Sequence, residues 1–258
     1  MNSQMVGSCL NLASPAVRDQ LCEEFRRAKE PLLILDCDGT VVDIHPSPNS
    51  VVIPGALLLH LGVLGRKKGA RVIIVSGRGM GWLMEKFGHL NITLIGRHGR
   101  FIREPGKKVV EREFPTEWTQ RVATAVERRI AEIEGLKIKD HDGVVAVDNN
   151  GVDESHHREI RKACKSILEE FHRVELHHNH LIAEFINQGG TKRSAVMPYV
   201  NGQDFIAQAG DGGSDEDLRE GLPGHAHTIV VGRPHSSAKY CAGSPCVMRR
   251  TLQDLAYA

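Results

Sequence analysis

One stretch constrains this chain more than any other: Pro31-Leu32-Leu33-Ile34-Leu35-Asp36-Cys37-Asp38-Gly39-Thr40. A short, bounded apolar run reads as a strand buried on both faces, as in a parallel sheet. Asp36 and Asp38 then sit at the strand's C-terminal end, where open α/β sheets bind ligands. In extended backbone the two carboxylates point to the same side. Gly39 permits the turn that must follow. Two negative charges this close are costly unless a cation or a proton relieves them.

The remaining bulk properties narrow the class. The 258 residues allow one large domain or two smaller ones. A net charge of +1 argues against a dedicated nucleic-acid binder. No apolar run reaches the roughly 18 residues of a membrane span, so no membrane partner is expected. Residues 1–6 lack a basic segment and a long apolar run, so no signal peptide is expected. The six cysteines form no C-x-x-C pair, which suits reduced thiols and a cytoplasmic protein. Of the fourteen histidines, His177, His178 and His180 cluster. A zinc site there lacks the firm ligand spacings, and a polar hairpin turn is the simpler reading.

In chain order, residues 10–30 carry a helical pattern and 31–36 the first strand. A helix is expected over 54–68, with Pro54 at its start and Gly69 at its stop. A second buried strand over 70–75 runs into Ser76-Gly77-Arg78, followed by a helix at 80–87 and a third strand at 92–95. This β-α-β-α-β order predicts an α/β fold, a doubly wound Rossmann-like parallel sheet. The rhythm then changes. A short strand over 109–111 precedes a helix over 116–134, strands at 136–139 and 144–147, a helix over 153–171 capped by Asp153, and a hairpin of 173–176 with 181–185. That order predicts an inserted α+β (αββαββ) cap domain over 113–187, between core segments 1–112 and 188–258. In the last segment a helix follows Gly189-Gly190-Thr191-Lys192. A strand at 204–209 precedes Asp211, a helix begins near Ser214, and 228–231 is a strand. A turn or short helix is expected at 238–240, a last strand at 246–248 and a helix at 252–256.

Asp36/Asp38, Ser76, Lys192 and Asp211/Asp215 thus occupy strand ends or helix starts, which a doubly wound sheet can bring to one crevice. Clustered carboxylates suit Mg²⁺, which takes hard oxygen ligands. A hydroxyl, helix-start amides and a lysine suit a phosphate. One carboxylate could attack phosphorus. Plainer readings stay open at this point: Ser76-Gly77-Arg78 as a structural turn, Lys192 as a surface lysine, Asp215 as a helix cap, and Asp38 as the partner of a nearby basic group.

The motif Asp36-Cys37-Asp38-Gly39-Thr40 resembles the D-x-D-G-T signature of haloacid-dehalogenase (HAD) superfamily phosphatases. Ser76, Lys192 and Gly210-Asp211-x-x-x-Asp215 match the other three motifs in order. Ser76-Gly77-Arg78, Gly96-x-His98-Gly99, Glu184, Asp215-Glu216-Asp217 and Val231-Gly232 further resemble the trehalose-6-phosphate phosphatase family, over residues 31–255. The resemblance implies a phosphomonoester hydrolase acting on a sugar phosphate, foremost trehalose 6-phosphate, through an aspartyl-phosphate. It implies Asp36 as nucleophile and Asp38 as general acid and base. Gly39, Thr40, Ser76, Gly77 and Lys192 would bind phosphate, and Arg78 and Glu184 the sugar. Mg²⁺ would be held by Asp36, Asp38 (through its carbonyl), Asp211 and Asp215.

Two departures bear on the substrate. The family's Glu-x-Lys and His-Tyr-Arg elements are missing from the first cap hairpin, where this chain reads Lys137-Ile138-Lys139-Asp140-His141-Asp142-Gly143 and Val144-Val145-Ala146-Val147-Asp148-Asn149-Asn150. Gly212 replaces the second aspartate of the usual G-D-D. A sucrose-, mannosylglycerate- or glucosylglycerol-phosphate type of substrate, a phosphotransferase, and a non-catalytic sugar-phosphate sensor are the alternatives. The sequence does not fix the oligomeric state.

Overall fold

Six consecutive residues, Pro31–Asp36, are buried, and they alternate between two apolar layers. Leu33 and Leu35 face one layer and Leu32 and Ile34 the other, each 0–1% exposed. A strand so placed needs helices on both sides, and the rest of the chain supplies them. The computed structural model describes residues 5–6, 9–45, 50–141, 143–178, 182–232 and 237–258.

The chain opens with β1 (Met5–Val6), β2 (Cys9–Asn11) and α1 (Pro15–Arg27). It continues with β3 (Pro31–Asp36), α2 (Gly55–Leu64), β4 (Arg71–Val75), α3 (Met80–Phe87), β5 (Thr93–Gly96), β6 (Phe101–Arg103) and β7 (Val110–Glu111). The middle comprises α4 (Thr119–Ile130), β8 (Lys137–His141), β9 (Val144–Asp148), α5 (His157–Leu168), β10 (Val174–His178) and β11 (Ile182–Asn187). The last part holds α6 (Lys192–Val196), β12 (Phe205–Gly210), α7 (Gly213–Glu220), β13 (His227–Val231), β14 (Tyr240–Ala242) and α8 (Pro245–Ala256).

Among the described residues, ten strands form the main sheet in the order β1-β2-β14-β13-β12-β3-β4-β5-β6-β7. From β2 through β5 all neighbours are parallel, while β1, β6 and β7 add antiparallel edges. Helices α1, α2, α3 and α8 pack on one face through Phe25, Leu61, Phe87 and Leu252. Helices α6 and α7 pack on the other through Val196 and Leu218. The doubly wound α/β core follows from this two-sided burial.

A second, antiparallel sheet, β10-β11-β9-β8, lies wholly within residues 137–187. Helices α4 and α5 cover one of its faces with Val126, Ile130, Ile160 and Ile167 against Val145, Val147 and Phe185. The two crossings into and out of this layer run side by side. Arg112 donates to Gly99 O at 3.0 Å and to Gly189 O at 3.3 Å.

The structure corrects the reading of the tail. Of the turn or short helix expected at 238–240, Tyr240 instead opens a strand, Tyr240–Ala242, that pairs with both β13 and β2. Three residues carry too little pattern to announce a strand. Residues 246–248 lie in α8 rather than in a strand, because Ser244 caps the helix and Pro245 fills its first turn. Strands β1, β2 and β6 are additions to the expected set. No helix among the described residues is long and apolar enough to cross a membrane.

Candidate active site

The site forms where β3 and β12, neighbours in the sheet, both end in carboxylates. Asp36 closes β3 and is 5% exposed. After β12 the chain turns through Asp211 into α7, whose first turn carries the buried Asp215. Asp215 accepts from Gly212 N at 3.4 Å, so it caps the helix as well as facing the site. Oxygens of Asp36, Asp211 and Asp215 lie within 4.8 Å of one another.

Lys192 comes from α6, which packs beside α7 on the same face of the sheet, and stands at the first position of that helix, where the Thr191 side chain accepts from Ser194 N. Its Nζ donates to Asp36 Oδ1 at 2.7 Å and to Asp215 Oδ1 at 2.9 Å, and it is 4% exposed. Lys192 is therefore a buried member of the cluster rather than a surface lysine. Thr40 Oγ1 donates to the other Asp36 oxygen at 3.0 Å.

Burial dominates the electrostatics. It pushes the Asp36 carboxyl up to about 8; Lys192 opposes that rise, and Asp215 and Asp211 add to it. Asp211, the most open of the three, is raised to about 6 by desolvation and then by Asp215. Burial alone would lower Lys192, but Asp215 and Asp36 outweigh it and hold the ammonium above the usual lysine range. Three carboxylates with one lysine leave excess negative charge in a confined space. Hard oxygen donors so grouped fit a divalent cation such as Mg²⁺.

Gly39 makes the approach of Asp211 possible. It sits at φ 78°, and a Cβ there would lie 2.0 Å from Asp211 Oδ2. The amides of Gly39 and Thr40 donate within the loop, to Val42 O at 2.8 Å and Cys37 O at 3.3 Å. The tight turn after β3 needs those bonds to close, so these two residues shape the site through the turn and through the Thr40 hydroxyl.

Ser76 directly follows β4 and is 2% exposed, and its hydroxyl accepts from Arg78 N at 3.1 Å. Gly77 follows it beneath the ring of His98. Arg78, expected at the sugar, grips Asp38: Nε donates to Oδ2 at 2.8 Å and Nη2 to Oδ1 at 2.6 Å. The guanidinium also lies 4.5 Å from the centre of the Trp82 ring, in α3. Asp38 is thus both a member of the D-x-D pair and the partner of a basic group.

Glu184 reaches the site from β11, and its Oε2 lies 3.0 Å from His98 Nε2. Burial would raise Glu184; His98 foremost, then His177 and Lys192, hold it below the usual carboxylate range. His177 stands directly across from Glu184 on β10. Between β10 and α7 lies a cavity of about 500 Å³, bounded by Glu175, His177, His178, Gly213 and Asp217 among others.

Trp82 had no role in the sequence reading, His177 entered only with the histidine cluster, and His98 only as part of a motif. Arg78 precedes α3, so no helical spacing in the sequence pairs it with Trp82. Of the histidine cluster, His177 and His178 lie on β10, whereas His180 is outside the described residues. Among the described residues, the grouping spaced to hold a metal is Asp36, Asp211 and Asp215.

The sequence profile of the trehalose-phosphatase family matches residues 34–241. A bifunctional trehalose-6-phosphate synthase/phosphatase of Thermoproteus tenax is 29% identical over 247 residues, 92% of this chain and 33% of that protein. A trehalose-phosphatase of Schizosaccharomyces pombe is 25% identical over 255 residues, 90% of this chain and 31% of that protein. The chain therefore spans about a third of the length of these relatives. The solved C-terminal domain of C. albicans trehalose-6-phosphate phosphatase shares the fold, with a TM-score of 0.83 at 20% identity over 93% of this chain and 96% of that one. The match covers most of the chain, including the residues that meet at the carboxylate cluster, and makes this protein a member of the trehalose-phosphatase family.

Proposed function

We propose that the chain is a Mg²⁺-dependent phosphatase that releases phosphate from trehalose 6-phosphate through an aspartyl-phosphate on Asp36. The observation that carries this reading is the meeting of Asp36, Asp211, Asp215 and Lys192 within hydrogen-bonding or metal-ligating reach of one another. In this reading a core of 1–112 and 188–258 does the chemistry, and a cap of 113–187 holds the sugar.

A Mg²⁺ ion held by Asp36, Asp211, Asp215 and the Asp38 carbonyl would offset charge on the phosphoryl oxygens. Lys192 and Ser76, with the Gly77 backbone, bind the phosphate. An Asp36 oxygen attacks phosphorus, the bond to the sugar oxygen breaks, and Asp38 gives that oxygen its proton. Water then attacks phosphorus, Asp38 takes up the water's proton, and phosphate leaves as the Asp36 carboxylate is restored. For Asp38 to hold and pass a proton, one of its bonds to Arg78 must open. Arg78 would turn toward the sugar as it lets go. Glu184 accepts from a sugar hydroxyl. The cysteines form no disulfide among the described residues, which supports a cytoplasmic setting.

A second reading, a different glycosyl phosphate, has its own support. In the cap's register Lys139 faces the same side as Glu184, and it binds Asp148 at 2.9 Å. The face of the first cap hairpin thus presents an ion pair in place of the family's usual elements. Phosphate release from a panel of sugar phosphates, with Mg²⁺ and with EDTA, tests both. The highest kcat/KM on trehalose 6-phosphate, abolished by EDTA, is expected. A preference for a sucrose-type phosphate would favour the second reading, and metal-independent turnover would overturn both.

A further inference from the structure

His98 takes part in no step above, yet its place is tightly determined. Arg97 and His98 are consecutive non-glycine residues in the left-handed region, at φ 48° and 55°. Residues with bulky side chains seldom adopt that conformation, and it persists only where the surroundings impose it. Here Gly96 and Gly99 flank the pair. A Cβ on Gly96 would meet Arg78 O at 3.0 Å, and one on Gly99 would meet the Ala195 Cβ at 2.7 Å. The turn is therefore wedged between the phosphate loop and α6, the helix that carries Lys192. His98 N donates to Ser76 O at 3.1 Å, and a Cβ on Gly77 would lie 2.8 Å from His98 Nε2. The ring rests on a floor that only glycine leaves open.

Above the ring is the cap. Glu184 Oε2 is 3.0 Å from His98 Nε2, and the ring of His177 is 6.3 Å away, centre to centre. His177 in turn lies 3.2 Å from Glu175 Oε2. His98 is 4% exposed, and neither ring nitrogen makes a well-directed hydrogen bond among the described residues. The histidine is thus enclosed between a rigid turn of the core and a carboxylate of the cap. Glutamate has many rotamers to lose, so a fixed partner matters for where its carboxylate stands.

We propose that His98 is a positioning residue: from the core it fixes Glu184, and with it the second cap hairpin, over the phosphate-binding loop. The distance between the sugar-holding carboxylate and the phosphate-holding Ser76 and Lys192 is then set by one side chain that touches neither reacting atom. This rests on the sugar-phosphatase reading for its kinetic consequence, and on the fold alone for its structural one.

Two arms test it. In the first, phosphate release from trehalose 6-phosphate is measured for the wild type, His98→Ala, Glu184→Gln and the double variant. Each single variant is expected to raise KM about tenfold with kcat lowered less than about threefold, and the double variant to be no worse than either single one. His98→Gln, which keeps a side-chain N–H, recovers part of the loss. Multiplying losses in the double variant, a loss confined to kcat, or an unchanged KM would overturn the proposal. In the second arm, amide hydrogen exchange of His98→Ala is expected to quicken in β10 and β11 while β3 stays as in the wild type. Unchanged exchange in β10 and β11, or quickening in β3 to the same degree, would overturn it without reference to substrate. A wild type inert toward trehalose 6-phosphate would instead count against the functional reading, leaving the exchange arm to decide the positioning role.

Discussion

The two sheets meet at the site with opposite characters. On the core side, Asp36, Asp215 and Lys192 are each at most 5% exposed, and every one is held by another member of the cluster. On the cap side, Lys137, Lys139 and His141 stand on an exposed edge strand, and Lys139 is paired with Asp148 near solvent. A buried charge cluster tolerates little change, because removing one partner strands the others in low dielectric. An exposed ion pair is worth about 0–1 kcal/mol, so its residues can be exchanged at small cost to the fold. In the proposed reading the chemistry is anchored where substitution is expensive, and the first cap hairpin's share in substrate choice lies where it is cheap.

The largest effect should come from Asp36→Asn. If Asp36 is the nucleophile, kcat falls by about 10⁴-fold or more while the protein stays folded; near-wild-type phosphate release would break the core side of the contrast. Gly39→Ala comes next. Its Cβ would displace the Asp211 carboxylate, so Mg²⁺ affinity measured by titration calorimetry should weaken by about 10- to 100-fold. Unaltered affinity would remove Asp211 from the metal site.

Much of the core was legible because its chemistry sits on strong local signals. The apolar run of β3 and the D-x-D that follows announce both strand and site. Ser76 and Lys192 could be placed because each follows a recognisable strand or glycine turn. What the sequence hid were relations between distant residues. Arg78 was expected at the sugar, but its pairing with Asp38 depends on how two loops meet across the sheet. The amides of Gly39 and Thr40 could not be known to close their own turn. Nor does the left-handed pair Arg97 and His98 carry any pattern that marks it. At the tail, β14 is too short for periodicity, and its burial between β13 and β2 is a tertiary property.

A middling effect concerns pH. Asp36 and Asp211 have folded values raised to about 8 and about 6. Groups raised in this way favour folding at low pH, and that contribution is lost as pH climbs through the folded value. Metal-free protein should therefore lose stability between about pH 4 and pH 8 through these groups. Mg²⁺ takes the place of the protons, so the rise in Tm on adding it should be larger at pH 8 than at pH 5. An equal or reversed rise, measured by thermal melting, would separate the metal from this cluster. The smallest effect should be that of Lys139→Ala, which should change Tm little but alter the ratio of kcat/KM between trehalose 6-phosphate and a sucrose-type phosphate several-fold. An unchanged ratio would free the first cap hairpin from any part in sugar choice.

The most direct measurement is rapid acid quenching of the wild-type protein during turnover of labelled sugar phosphate, with the phosphorylated peptide identified by mass spectrometry. The account predicts a phosphoryl group on the Asp36 carboxylate, formed with Mg²⁺ and absent with EDTA. Label on another residue, or turnover with no label retained at any time, would contradict it.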